Sequence, residues 1–238
     1  MPDAMGTPAG TAPSRRATRP RNRRGEGAHL RADILSAATG LLDRGDERTV
    51  TLRAVARAAG IAAPSIYPHF PNRPAIMLAV VREAFADLSG RLEVAVDDAD
   101  DAERGLYAAC HAYLGFAAAH PVRYRVMFGG LRDPDDGLAR LGAEIPRILA
   151  GALTGCVTAG RSTSTDPYDD AVALWLSLHG LAHQRAVSLA FPWPASFVRS
   201  LVAPLSRTAP PQDSPQPMLT TLAHDGGPAG TYSGSHSV

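Results

Sequence analysis

The sequence predicts an all-α protein, and three observations lead to that fold class. Apolar residues recur three to four positions apart through most of the 238 residues, which is the spacing of amphipathic helices. No segment alternates convincingly between apolar and polar residues, as a half-buried strand would. Prolines stand between the periodic segments, where a residue without a backbone N–H disturbs a helix least. This pattern divides the chain into about nine helices.

Composition divides the chain further. Hydrophobic residues make up 45% of it, which is enough to bury a core. Residues 1–28 are rich in Pro, Gly, Thr and Arg, and residues 208–238 in Pro, Ser, Gly and Thr, so neither end can bury enough apolar surface to offset its ordering entropy. We therefore expect two disordered ends around a folded region of two helical domains, over 29–75 and 76–207.

The net charge of +1 conceals an uneven distribution. Residues 1–74 hold 12 arginines and 6 acidic residues, whereas the rest of the chain holds 12 arginines and 17 acidic residues. Neither a secretory signal nor an apolar run of about 18 residues is present. Cys110 and Cys156, the two cysteines, form no disulfide framework. We expect a soluble cytoplasmic protein with a basic front.

The first domain is expected to contain three helices. The first follows the apolar residues Ile34 to Leu42 and stops at Gly45; the second begins after Thr51, a good N-cap, and ends at Gly60; the third covers about residues 62–69.

The second and third of these helices have the pattern of a helix-turn-helix. Ala56 is small where the helices must cross closely, and Gly60 can take the positive φ that ends the second helix. Val55, Ile61 and Ile66 are expected to fill the angle between them. In a helix-turn-helix the second helix enters the major groove of DNA. An ordinary corner between two helices shares these landmarks and remains the alternative.

An arginine-rich segment precedes the first helix. Six arginines, among them Arg23 and Arg24, lie within residues 15–24. A flexible arm of this charge could follow phosphates or enter the minor groove. The alternative is a solvated tail.

The segment that follows the turn, Ser65-Ile66-Tyr67-Pro68-His69-Phe70-Pro71-Asn72-Arg73-Pro74-Ala75-Ile76, carries a more specific signal. It resembles the N-terminal DNA-binding domain of the TetR family of transcriptional regulators, including the Tyr-x-His-Phe signature and the basic residue at the head of the next helix. The resemblance covers about residues 29–80.

This resemblance implies roles for individual residues. Tyr67 and His69 would contact the DNA backbone, Phe70 would anchor the segment in the small core, and Arg73 and Thr51 would each meet a phosphate. The hydroxyl, imidazole and guanidinium groups can all donate to phosphate, whereas Phe70 cannot. A contact within the helix corner is the alternative for Tyr67 and His69.

Two departures from the family pattern affect this segment. Ala62 stands where the family often has Ser or Thr, so a capping hydroxyl is missing. Pro68 replaces the usual polar residue and removes a backbone donor, so the recognition helix should end early or tighten. Base contacts are left mostly to Ala63, Pro64, Ser65 and Tyr67, which favours thymine methyl contacts and indirect readout.

The rest of the chain is expected to form six further helices, at about 74–96, 102–119, 121–129, 136–159, 167–190 and 194–206. The prolines assigned to joints are Pro121, Pro134, Pro167, Pro192 and Pro194. The family resemblance makes 76–207 a domain that binds a small effector and dimerises through its last two long helices.

A second resemblance lies in the helix predicted over 167–190. Trp175-Leu176-Ser177-Leu178-His179-Gly180 is similar to a Trp…His-Gly motif that marks one subgroup of TetR regulatory domains. At 100° per residue, Trp175, His179 and His183 share one face, while Ala173, Ser177, Gly180, Gln184 and Ser188 form a flat opposite face that suits a partner helix.

We expect a largely apolar, partly aromatic or planar effector against Trp175, with His179 or His183 supplying an orienting hydrogen bond. Tyr113, Phe116, Met127 and Phe128 could complete the pocket walls under the family architecture. Plain core filling is the alternative for Trp175.

Catalytic and metal motifs are weak. The chain has no G-x-S-x-G and no phosphate-binding glycine loop, and Cys110 and His111 would point about 100° apart on a helix. His179 and His183 have helical metal-pair spacing, but Gly180 stands where H-E-x-x-H requires glutamate. We predict no enzyme, no metal and no cofactor.

The sequence therefore predicts a homodimeric, sequence-specific DNA-binding transcriptional regulator, a repressor that a small-molecule effector releases from an inverted-repeat operator. The alternative is an all-α small-molecule-binding protein or enzyme that uses the face of Trp175, His179 and His183.

Overall fold

The computed structural model describes residues 26–129, 136–187, 193–194 and 196–208. In these ranges the chain forms eight α-helices and two 3₁₀-helices, and its only extended pairing is one isolated bridge between Ser162 and Thr208. The predicted all-α fold is confirmed. The α-helices are α1 (Glu26–Arg44), α2 (Leu52–Ala58), α3 (Arg73–Asp97), α4 (Ala102–Ala119), α5 (Pro121–Met127), α6 (Gly137–Thr158), α7 (Pro167–Val187) and α8 (Phe197–Leu205).

Helix starts follow local capping signals. The side chains of Thr51, Asn72 and Asp101 each accept a hydrogen bond from the backbone N–H three residues later, at the starts of α2, α3 and α4. Proline occupies the first turn of α3 and α5, and α7 begins at Pro167. The predicted boundaries of α4 agree with the structure, and those of α3 and α6 agree within one residue at each end.

The N-terminal unit consists of α1, α2 and the segment after α2. Gly60 has a φ of 66°, which a residue with a Cβ adopts only with strain, and α2 ends just before it. Val55 and Ile66 are fully buried between the elements, while Ile61 is half-buried at the edge. The corner predicted from these residues is therefore present.

The helix predicted over 62–69 is wrong as a continuous α-helix. The chain forms a 3₁₀-helix, Ala63–Ser65, and continues in turns to His69. Pro68 has no N–H to bond the carbonyl of Pro64, and its ring crowds that carbonyl, so an α-helix cannot continue through this position. The backbone N–H groups of His69 and Phe70 both donate to the carbonyl of Ile66 at 2.9 Å. The tightening expected from Pro68 is what the structure contains.

The segments predicted to be disordered, 1–28 and 208–238, each include residues that belong to the folded part of the chain. Residues 26–28 belong to α1, where Gly27 approaches the ring of His69. Thr208 is buried and its hydroxyl lies 3.0 Å from that of Ser206, which ties it to the folded unit. Residues 1–25, which include Arg23, Arg24 and the rest of the arm, and residues 209–238 lie outside the described ranges. Ser188, Pro134 and Pro192 do so as well.

Helices α3 to α8 build the larger unit. α3 begins in the N-terminal unit, runs for 25 residues and packs against α4 and α6. α7 packs on α6 and α4, and its buried face is apolar. Two prolines, Pro146 and Pro204, stand inside α6 and α8 rather than at joints. Among the described helices, none has the length and apolar character needed to cross a membrane.

Candidate functional site

The outer face of the N-terminal unit carries the residues predicted to meet DNA. Pro64, Tyr67 and Pro68 are exposed, with 56% of Tyr67 accessible, while Ala63, Ser65 and His69 are half-buried. Ile66 and Phe70 of the same segment are buried and fix it to the core. The segment therefore has one side that anchors it and one side open to a ligand.

Thr51 lies at the first residue of this surface. Its Oγ1 accepts from the backbone N–H of Ala54 at 3.2 Å, so the hydroxyl stabilises the start of α2. A hydroxyl that accepts one hydrogen bond still has an O–H to donate. Thr51 can thus cap the helix and donate to a phosphate at the same time.

Arg73 has a larger internal role than the sequence suggested. Its Nε donates to the carbonyl of Val50 at 2.8 Å, and its Nη2 donates to the carbonyl of Glu47 at 2.7 Å and to that residue's carboxylate at 3.2 Å. These bonds tie the head of α3 to the loop between α1 and α2. The phosphate contact predicted for Arg73 stays a prediction, and a substitution there would also loosen this loop.

Two contacts on this surface were not predicted. The ring of His69 lies beside Gly27 at the beginning of α1, where a Cβ would come within 3.9 Å of its Cε1. The guanidinium of Arg31 lies 4.8 Å from the centre of the Phe70 ring and is exposed. Arg31 lies seven positions, or about two helical turns, after Arg24 at the end of the arginine arm. This position was the sequence signal for its place on the surface.

The larger unit contains a cavity of about 550 Å³. Trp175, Met127 and Phe128 line it, as predicted. Val172, on the same helix face as Trp175, also lines it, and residues that the sequence did not mark supply the other walls from α3, α6 and α7: Phe85, Leu138, Ala139, Gly142, Ala143, Pro146 and Tyr168. The indole Nε1 of Trp175 is buried and has no partner at bonding distance in the described part of the chain, although its N–H lies close enough to the Tyr113 hydroxyl to oppose the rise in the pKa of that group. The cavity walls are therefore mostly apolar.

A hydrogen-bonded chain lies beside the cavity. The hydroxyls of Tyr113 and Tyr124 are 2.8 Å apart, and that of Tyr124 is 2.7 Å from Nδ1 of His179. Burial raises the pKa of Tyr113 to about 12 and also raises the pKa of Tyr124. Burial, aided by the charge of His183, lowers the pKa of His179. At neutral pH both phenols are therefore protonated and the imidazole is neutral, and the tautomer of His179 decides whether Tyr124 donates to Nδ1 or accepts from it.

Four residues predicted for this pocket are not in its lining: Tyr113, Phe116, His179 and His183. Phe116 is buried on another side of α4, with its ring 5.2 Å from that of His120 and 5.7 Å from the guanidinium of Arg91. His183 is exposed on α7, one turn beyond His179. Tyr113 is one layer behind the cavity wall. Helical phase placed His183, and the family architecture suggested Tyr113 and Phe116, but neither fixes which neighbour each side chain meets.

Sequence comparison identifies both units. Residues 34–80 match the profile described as "Bacterial regulatory proteins, tetR family", and residues 106–207 match "Tetracyclin repressor-like, C-terminal domain". The two matches together cover more than half of the chain. The chain belongs to the TetR family of transcriptional regulators.

Individual relatives of this TetR-family chain agree. It is 30% identical over 126 residues to the HTH-type transcriptional regulator Rv1816 of Mycobacterium tuberculosis, an alignment of 48% of this chain and 53% of that protein. The chain thus spans about half the length of the curated relatives it matches. A protein with unknown function from Rhodococcus sp. RHA1 has a similar structure, with a TM-score of 0.63 and 26% identity over 74% of this chain and 91% of that one.

The fold alone is shared with FadR from Bacillus subtilis, solved with stearoyl-CoA, which has a TM-score of 0.60 and 17% identity over 74% of this chain and 97% of that one. A family of transcriptional regulators, not enzymes, agrees with the non-enzymatic role predicted for this TetR-family chain. Its assignment to the Trp…His-Gly subgroup stays a prediction.

Proposed function

We propose that the protein is a homodimeric DNA-binding repressor, which a small effector in the cavity releases from an inverted-repeat operator. The observation that carries this proposal is the continuity of α3. The exposed recognition segment leads directly into α3, whose first turn is capped by Asn72 and bonded by Arg73 to the loop before α2, and Phe85, further along the same helix, lines the cavity. A change in the cavity wall and a change in the recognition segment therefore share one element.

DNA recognition rests on the outer face of the tightened segment. Ala63, Pro64 and Pro68 offer no side-chain hydrogen bond, so they suit thymine methyl groups and the shape of the groove. Tyr67, His69 and Thr51 supply donors to phosphates. The arginine arm at residues 15–24 adds nonspecific affinity, since a segment without fixed donor geometry does not choose bases.

Dimerisation uses the outer face of α7. Leu176 and Val187 are 55% and 63% exposed there, next to small residues at Ala173 and Gly180. Exposed apolar side chains beside a flat small-residue surface allow close approach of a second helix. A two-fold dimer presents two recognition segments, so the operator is an inverted repeat whose half-site centres lie about one helical turn, or a multiple of it, apart.

The effector is a largely apolar, partly aromatic or planar molecule with a hydrogen-bond acceptor. The cavity volume lies within the roughly 300–1,000 Å³ that small-molecule sites occupy, and its walls are mostly apolar. Nε1 of Trp175 needs an acceptor. His179 orients the neighbouring wall through Tyr124. Tyr168, 48% exposed, stands at the rim.

Selection from a randomised DNA duplex pool with the full chain tests the DNA-binding part. We expect an inverted-repeat sequence, protected over both half-sites in a footprint, and a dimer in solution scattering. Tyr67→Ala should weaken binding to the selected duplex about tenfold or more, a loss of about 1.4 kcal/mol or more, and leave helix content unchanged. Tyr168→Ala, an exposed tyrosine on α7, is the matched control.

Deletion of residues 1–24 tests the arm. Affinity for selected and random duplexes should fall alike, and the slope of log affinity against log salt should flatten by roughly 0.9 for each phosphate that the arm no longer neutralises. An unchanged slope would show that the arm is only solvated.

A footprint over one asymmetric half-site, or a monomer in solution, would overturn the dimer proposal.

A further inference from the structure

An ion-pair cluster joins the N-terminal unit to α5. Nε of Arg123 donates to Oδ1 of Asp43 on α1 at 3.1 Å, and its Nη2 donates to Oδ2 of the same carboxylate. The opposite nitrogen, Nη1, lies 3.5 Å from Oδ2 of Asp87 on α3. The Arg123 side chain is only 12% exposed, whereas Asp43 and Asp87 are 28% and 33% exposed. One guanidinium thus connects three helices, and we call Asp43, Asp87 and Arg123 the Arg123 clamp.

The next residues of α5 belong to the cavity. The hydroxyl of Tyr124 is hydrogen-bonded to His179, which lies against Trp175 with the two ring centres 6.2 Å apart. Met127 and Phe128 line the cavity itself. α5 has only seven residues and begins with Pro121. A helix this short moves as one body, so displacement of its cavity side moves Arg123.

We propose that the Arg123 clamp transmits occupancy of the cavity to α1, and so to the recognition surface, as a second route beside α3. This inference rests on the proposed function, because it assigns the regulation of the same cavity. A molecule against Trp175 and Phe128 displaces α5, and the two-pronged bond to Asp43 lengthens. α1 is then released from the orientation that suits the operator.

The physical reason for choosing this contact is its sensitivity to geometry. A two-pronged guanidinium–carboxylate pair needs both groups aligned, and it is stronger when shielded from water. A small shift of α5 therefore removes much of the interaction, whereas apolar packing along α1 and α3 tolerates the same shift. The pair between Arg147 and Glu144 on α6 is exposed to solvent, so its loss should change the stability of the protein very little.

The test uses the full chain, the duplex selected by the protein, and 1-anilinonaphthalene-8-sulfonate as the cavity probe. The probe has an aromatic body and a sulfonate acceptor for Trp175. Duplex affinity is measured by anisotropy of a rhodamine label, with and without saturating probe. We expect the probe to weaken duplex binding by about tenfold in the wild type, within the usual range of coupling between sites.

Asp43→Asn and Arg123→Gln should by themselves weaken duplex binding toward the level of the probe-bound wild type, and the probe should weaken it further by only about twofold or less, while helix content persists. Arg147→Gln should keep the wild-type factor. Asp87→Asn should keep more coupling than Asp43→Asn, because it leaves the bond to α1 intact. By reciprocity, the duplex should weaken probe binding by the same factor in each protein.

Trp175→Ala separates the two proposals. If it binds the probe as the wild type does, the cavity is not the binding site and the proposed effector site fails. If the probe needs Trp175 but weakens duplex binding equally in the wild type, Asp43→Asn and Arg123→Gln, only the clamp is overturned. Loss of coupling in Asp87→Asn but not in Asp43→Asn would overturn it too. A probe that needs Trp175 but leaves wild-type duplex binding unchanged contradicts both coupling and effector release.

Discussion

The N-terminal unit and the helical bundle behind it hold their functional groups in opposite ways. In the N-terminal unit, Ile66 and Phe70 are buried and the polar groups of Tyr67 and Thr51 face outward. In the bundle, the polar groups are inside, in the chain from Tyr113 through Tyr124 to His179. Along residues 63–70, buried apolar anchors and exposed polar groups are therefore different residues, whereas in the bundle the hydrogen-bonding groups are themselves part of the interior.

The largest expected effect is a difference in stability between a buried and an exposed residue of the recognition segment. Phe70→Ala removes a fully packed ring and should lower the free energy of unfolding of the N-terminal unit by about 3–5 kcal/mol. Tyr67→Ala, three residues earlier and exposed, should change it by less than about 0.5 kcal/mol. Circular dichroism in a urea titration measures both. Similar losses in the two variants would mean that Tyr67 is a packing residue.

A smaller effect is expected from the buried hydroxyls of the bundle. Tyr124→Phe leaves Nδ1 of His179 without its 2.7 Å hydrogen-bond partner, which should cost about 1–3 kcal/mol of stability and also change probe binding in the cavity. The hydroxyl of Tyr113, 3.4 Å from the same nitrogen, limits the loss. Tyr67→Phe, at an exposed tyrosine that does not line the cavity, is the control. A loss of stability without a change in probe binding would show that the hydrogen bonds of Tyr113, Tyr124 and His179 stabilise the bundle but do not shape the cavity.

Capping in the N-terminal unit should contribute about 1 kcal/mol. Thr51→Ala removes the acceptor for the N–H of Ala54, and Thr51→Ser should restore most of the stability because the hydroxyl returns. Operator binding checks the second role: if Thr51 also meets a phosphate, Thr51→Ala weakens binding more than its loss of stability explains, and Thr51→Ser restores it. Recovery of stability without recovery of binding would contradict a hydroxyl contact.

The smallest effect is a pH dependence at the imidazoles. Burial lowers the pKa of His120, with Arg123 adding to the shift, and burial also lowers the pKa of His179. The unfolded chain, with histidine pKa near about 6.5, therefore binds more protons as the pH falls, so this stability is complete above that value and is lost below it. Urea midpoints at pH 7.5 and 5.5 should differ less in the double variant His120→Gln/His179→Gln than in wild type. His111→Gln, exposed on α4, should keep the wild-type difference.

The two halves also differ in how far their sequence predicted them. Gly60, Pro68 and Thr51 act on backbone within a few residues, so the end of α2, the tightened segment and the cap could be read from local sequence. The walls of the cavity could not, because Phe85 and Gly142 meet only through the packing of α3 on α6.

Three further features of the structure had no signal in the local sequence. Arg123 and Asp43 form an ion pair although they are 80 residues apart in the sequence. The residues around each of them do not indicate this pairing. His183 was placed beside His179 because helical phase was the only guide, whereas the structure leaves it exposed one turn further along α7. Arg73 likewise carried a family signature while its internal bonds to Val50 and Glu47 had no sequence signal.

Gly142 offers a way to grade the capacity of the cavity. It lies in the wall, and a Cβ there would meet Phe85 at an ordinary 3.7 Å, so longer side chains extend into the open space. Pro146, one turn later, has no N–H to donate to the carbonyl of Gly142. α6 therefore already forms without that backbone hydrogen bond. The series Gly142→Ala, Gly142→Val and Gly142→Leu would act as a ruler that shortens the cavity in steps, turning one regulator into a set of sensors that exclude progressively smaller molecules.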